Sequence, residues 1–97
     1  MLSIEGGRRI AAALGNKKFC ILRNHGLLTV GRSVEESVGW FVMAERVAEV
    51  HVKAPKGRPI SDEAAALAAS TLAADSVGWR MFQWLQRWLV PDRSMVD

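Results

Sequence analysis

Two short apolar runs, Phe19-Cys-Ile-Leu-Arg23 and Leu27-Leu-Thr-Val30, joined through Asn24-His25-Gly26, limit what this chain can fold into more than any other feature. A glycine-containing linker of three residues between such runs predicts a β-hairpin. Both runs are apolar on successive residues rather than on alternate ones. That pattern predicts strands covered on both faces, inside a layered sheet. The rest of the sequence reads as helix and loop. A lone two-stranded hairpin is marginal in water. The hairpin is therefore expected to sit in a larger sheet, and the chain to be a fragment of a larger α/β domain.

The helices follow from punctuation and periodicity. Residues 4–14 read as a helix closed by Gly15-Asn16, with Gly15 suited to a left-handed C′ position. Gly6 and Gly7 are poor helix formers, so this helix is expected to start upstream of Met1. Ser33-Val-Glu-Glu36 has the form of a capping box, in which Ser33 bonds the Glu36 amide and Glu36 reaches back. The helix after it should run to about residue 52. Its stretch Val38–Ala44 is apolar nearly all round, which predicts burial on most sides. Glu35, Arg46, Glu49 and Lys53 are left as a narrow wet stripe. Residues 54–59 form a Pro/Gly loop, and Ser61 caps an alanine-rich helix to about residue 74. A last helix spans roughly 76–90, with Trp79, Phe82, Leu85, Trp88 and Leu89 at helical spacing and Pro91 at its end.

Composition narrows the function classes. The chain has 97 residues and a formal charge of +3, and its charges alternate in sign along the sequence. Residues 1–32 carry six Lys/Arg against Glu5, whereas residues 33–52 carry four Glu against Arg46. These are solvated faces rather than the clustered basic footprint of a nucleic-acid binder. A single cysteine, Cys20, excludes an internal disulfide, reads as a small buried hydrophobe and fits a cytoplasmic setting. No apolar run nears the ~20 residues of a membrane span, and no secretory leader is visible. Four Trp in so short a chain are bulk that needs a partner surface, either a core or an interface with the missing half or a neighbouring subunit.

One side chain stands where chemistry is built. His25 lies in the turn between two strands, a placement that fixes a side chain well. On residue type alone, a turn histidine is more often structural than a ligand. Zinc takes three or four ligands, and His51, the other histidine, lies far along the chain near a helix end. Lys17, Lys18 and Arg23 are near His25 in sequence and could meet an anion, although a solvated loop edge is the simpler reading.

Ile21-Leu-Arg-Asn-His-Gly-Leu-Leu-Thr-Val-Gly31, followed by Ser33-Val-Glu-Glu-Ser-Val-Gly-Trp-Phe-Val-Met-Ala-Glu-Arg46, resembles the C-terminal half of the class II aldolase/adducin domain family. Gly7-Arg-Arg-Ile-Ala-Ala-Ala-Leu-Gly-Asn-Lys-Lys18 is similar to the helix leading into that hairpin. The tail, with Arg58-Pro-Ile-Ser-Asp62 and Gly78-Trp79, resembles a fungal-like branch. The resemblance implies a three-layer α/β/α fold, present here as helix, hairpin and three helices. It divides the chain into residues 1–55, the C-terminal half of that domain, and 56–97, a helical extension. It implies a divalent metal, zinc in the intact parent, held by three histidines. Two come from an upstream His-x-His and the third follows Asn in an Asn-His-Gly turn, where His25 stands. Asn24 or Gly26 backbone groups would orient its ring. The metal would act as a Lewis acid on a hydroxy-ketone in carbon–carbon cleavage or epimerisation. A homo-oligomeric parent is implied too, and the alternative is a non-catalytic, adducin-like module for cytoskeletal or other protein contacts. The chain departs from the pattern in lacking the His-x-His pair, the upstream acid, the phosphate-binding loops and any tyrosine. It is therefore expected to be inactive on its own, with no catalytic residue and no resident cofactor.

Overall fold

The computed structural model describes residues 3–90, 92 and 94. Along the chain run α1 (Ile4–Leu14), β1 (Phe19–Leu22), β2 (Gly26–Thr29), α2 (Val34–Lys53), α3 (Asp62–Leu72) and α4 (Asp75–Leu89). The fold is mixed: among the described residues, four helices and one two-stranded antiparallel sheet. Ser3, in extended conformation, caps α1, so the helix starts at Ile4 and not upstream of Met1 as expected; the expectation at Pro91 lies outside the described residues.

Local chemistry sets the boundaries. Ser3, Ser33 and Ser61 each accept a hydrogen bond from the amide three residues on, the standard relief for a helix's unpaired N-terminal donors. Gly15 ends α1 at φ 56°, a conformation that L side chains rarely adopt. At the start of α2 the expected capping box is altered. Glu36 reaches past Ser33 to accept from the Arg32 amide at 2.8 Å, and its other oxygen accepts from the Arg32 guanidinium at 3.2 Å. The fold-back depends on Gly31, where an added Cβ would lie 2.7 Å from the Glu36 Cβ.

The hairpin pairs Phe19 with Thr29, Cys20 with Leu28, Ile21 with Leu27 and Leu22 with Gly26. Its loop is Arg23-Asn24-His25, one residue earlier than expected, because Gly26 already pairs in β2. The strands are not covered on both faces. Cys20 and Leu22 are half-buried, whereas Phe19 and Ile21 face outward, with Ile21 at 73% exposure. The sheet packs against α1 and α2. No second layer among the described residues covers the other face.

The core is small and lies where α2 meets α4. Gly39 of α2 lies so close to Gly78 of α4 that a Cβ at position 39 would sit 1.9 Å from the Gly78 carbonyl oxygen. Gly78 in turn lies against the indole of Trp40, whose exposure is 5%. Trp40 and Ala44 are the buried apolar side chains. Truncating a buried Trp typically costs about 3–5 kcal/mol, so one ring carries much of what holds these helices together. Its Nε1 is buried without a hydrogen-bond partner among the described residues, a concession to the close helix approach.

Two expectations of burial are corrected here. The Val38–Ala44 stretch is not enclosed, since Val38 and Phe41 are exposed. Of the two surfaces expected for the α4 tryptophans, a core or an interface, a core within the described residues is not formed. Gly78 is the buried residue of that helix and Phe82 and Leu85 are half-buried, whereas Trp79, Trp84 and Trp88 are exposed. The physical reason is the glycine crossing. It seats α4 on its smallest residue and turns the large rings outward. Helix α3 has no buried residue at all.

Two glycines test this packing. Gly39→Ala should cost about 3 kcal/mol or abolish folding, because backbone rather than a flexible side chain opposes the new methyl. Gly7→Ala meets nothing within 4 Å and should stabilise by about 0.5–1 kcal/mol through helix propensity. Chemical denaturation of the two variants reads both signs.

Candidate functional site

The turn that carries His25 is tightly built. The His25 amide donates to the Leu22 carbonyl at 3.0 Å and closes the loop. Asn24 adopts φ 57°, a left-handed conformation that asparagine tolerates better than most residues. Gly26 follows at φ 148°, where a side chain would be strained. These conformations shape the turn; no hydrogen bond from Asn24 or Gly26 to the His25 ring is among the bonds of the described residues. His25 itself is exposed. Among the described residues no hydrogen bond is made to its ring, and no three His, Cys, Asp or Glu side chains gather as a metal-holding group. One imidazole does not match the donor set that zinc requires. The described residues therefore do not fit a complete metal centre. His51 sits in the last turn of α2 and Cys20 is a half-buried free thiol.

Of the cations near His25 in sequence, Lys18 is engaged elsewhere. Its Nζ donates to Asp75 Oδ1 at 2.5 Å and lies 5.9 Å from the centre of the Trp40 ring. Arg32 Nε meets the other oxygen of Asp75 at 3.1 Å while its Nη2 meets Glu36. These four side chains form a clasp between the hairpin, the start of α2 and the first turn of α4. A carboxylate at a helix N-terminus is favoured by the helix dipole as well. The hydrogen bond from Lys18, and then the charge of Arg32, hold the Asp75 carboxyl below its usual range. Nothing in the sequence flagged this pair, because its members are 57 residues apart. Lys17 and Arg23 remain exposed. A cleft of about 810 Å³, walled by Lys17, Phe19, Trp40, Met43, Val47 and Leu72, opens at the opposite end of the hairpin from His25. It is apolar and has no imidazole or carboxylate in its walls.

Comparison with known proteins gives these features a setting. The class II aldolase and adducin N-terminal domain matches residues 1–52. A 4-hydroxy-3-prenylphenylpyruvate oxygenase/4-hydroxy-3-prenylbenzoate synthase of Streptomyces roseochromogenus subsp. oscitans is 34% identical over 86 residues, covering 86% of this chain and 31% of that protein. The decarboxylase NovR of Streptomyces niveus is 35% identical over 86 residues, 86% of this chain and 32% of its own. A protein of Pseudomonas aeruginosa named for the aldolase class 2 type is 41% identical over 56 residues, 58% of this chain and 22% of its own. The chain thus spans about a third or less of the length of these relatives. All three are bacterial, so none speaks for the fungal-like pattern expected of the tail. No solved structure matches the chain at the same standard.

The clasp yields a pH prediction. A carboxyl depressed in the folded state contributes stability that is fully present above its ordinary value and lost as pH falls through the lower folded value. Thermal melts of wild type and Asp75→Asn should therefore differ near neutral pH, with wild type the more stable. The two curves should converge as pH drops below about 4. Parallel curves across that range would refute the clasp.

Proposed function

The chain belongs to the class II aldolase and adducin N-terminal domain family, and from that premise we propose that it is part of a metal-dependent lyase to which the hairpin turn gives one imidazole, that of His25. The observation that carries the reading is the family match over residues 1–52 combined with an exposed histidine on a turn held by Asn24, Gly26 and the Leu22–His25 hydrogen bond. Such a turn presents the ring outward at little entropic cost. In this reading the remaining ligands and the acid/base come from other residues of the same assembly. A divalent metal, zinc by its affinity for imidazole, is the cofactor of that assembly.

The reaction class is carbon–carbon bond cleavage beside an oxygenated carbon. The names of the relatives support it: a decarboxylase releases a carboxylate carbon, and an aldolase divides a chain next to a carbonyl. An aromatic oxo-acid is the substrate class that the prenylphenylpyruvate enzyme's name favours. The adducin-like alternative has no comparable support in these names. No helix among the described residues is long and apolar enough to cross a membrane. We place the protein in the cytoplasm, as an oligomer.

A chimera tests the ligand role. Residues 4–55 would replace the matching stretch of the Pseudomonas relative, and bound metal per subunit would be counted by atomic emission. The chimera should hold metal, and the same chimera with His25→Ala should lose most of it. Equal metal content in both would sink the proposal. The 97-residue chain alone should turn over no hydroxy-ketone phosphate. Turnover that His25→Ala abolishes would contradict that expectation.

A further inference from the structure

The cleft of about 810 Å³ at the end of the hairpin away from His25 is walled by elements of this one chain. On α2, Trp40, Met43, Ala44 and Val47 stand at i, i+3, i+4 and i+7, a single stripe about 10 Å long. Across the gap, α3 brings Ala68, Ala69 and Leu72. Alanine methyls are too short to close it. Helix α3 packs extensively on no other element and buries no residue. Val47 and Leu72 stay 50% and 61% exposed although both line the cleft. The family match ends at residue 52, whereas α3 begins at Asp62, so this cleft joins the family domain to the segment beyond it. Its rim is polar at one end. Asn16 and Lys17, both exposed, lie there in the turn after α1. Lys17 has no ion pair among the described residues, and Lys18 beside it is held by Asp75.

We propose that this cleft binds a medium-chain monocarboxylate. The hydrocarbon tail lies between α2 and α3, and the carboxylate meets the Lys17 ammonium and the Asn16 amide at the rim. The size suits a small ligand, whose sites run from about 300 to 1,000 Å³. Water fills such a slot poorly, because an ordered water needs about two to four polar partners and these two helix walls are apolar. A polypeptide segment fits worse than an acyl chain, since its N–H and C=O groups would lie against the same walls unpaired. A methylene chain brings no such groups, and it gives α3 the packing that its alanines do not reach. Charge selects the head. No carboxylate lines the cleft, and the two lysines at the rim repel an amine and attract an anion. The site is separate from the His25 turn, so it stands or falls independently of the metal reading.

Calorimetric titration of the 97-residue chain with decanoate tests this. A single decanoate should bind per chain. Octanoate, with two fewer methylenes to bury, should bind roughly tenfold more weakly. Lys17→Glu should weaken decanoate about tenfold and leave decanol unchanged. Ala69→Phe fills the gap from the α3 side and should abolish binding with helical circular dichroism retained. If that variant loses its helix signal, Lys17→Glu, a change at an exposed position, makes the comparison. The place of binding is read by fluorescence. In Trp79→Phe/Trp84→Phe/Trp88→Phe, Trp40 is the one indole left, and a decanoate brominated at its tail should quench it. No binding, equal binding of decanoate and decanol, a folded Ala69→Phe that binds like wild type, or an unquenched Trp40 would each overturn the proposal. So would uptake of many decanoates without saturation, the mark of general adsorption to the exposed tryptophans of α4.

Discussion

The approach of Gly39 to Gly78 is the constraint on which the rest of the structure hangs. Two helices can meet backbone to backbone only where neither has a side chain. Once they do, the Trp40 ring is trapped flat against α4 and becomes the centre of what core there is. The Lys18–Asp75–Arg32–Glu36 clasp then fixes the angle of α4 from its N-terminal end. An apolar seat and an ionic hinge divide the labour. The first supplies burial, and the second ties the hairpin and the α2 cap to a helix more than forty residues further on.

Much of this architecture was legible from local signals. The Ser33 and Ser61 caps, Gly15, the hairpin linker and the helix boundaries after it all rest on short-range chemistry, and they stand where that chemistry puts them within a residue or two. What escaped was long-range. Apolar strands implied cover on both faces, but periodicity cannot say whether a second layer is supplied. The aromatic spacing of α4 left core and interface open, and which side the rings take depends on two glycines whose role depends on each other. Gly39 and Gly78, each isolated inside a helix, were the available signal, because a glycine kept at that cost usually marks close packing.

The site divides along the same line. The place and exposure of His25 follow from Asn24 and Gly26, residue types suited to the backbone of such a turn. Its chemistry does not follow from the turn, because a ligand is defined by the donors around it, and sequence distance hides those. The resemblance supplied the proposed role, which spacing could not, and the match over residues 1–52 shows the family. Lys18 shows the reverse. It looks like a neighbour of His25 along the chain, yet in space it serves Asp75 and the Trp40 ring.

The stretch from Ala54 to Ala74, with α3 inside it, buries no side chain, yet it is the segment that delivers α4 to its seat on α2. Mechanically it is a tether, and a tether's cost grows only with the logarithm of its length, about 0.6 kcal/mol for each doubling. The chain therefore carries two opposite tolerances side by side. As far as that seat is concerned, related sequences can lengthen or shorten this segment freely, while a single added methyl at either glycine it connects would drive the helices apart.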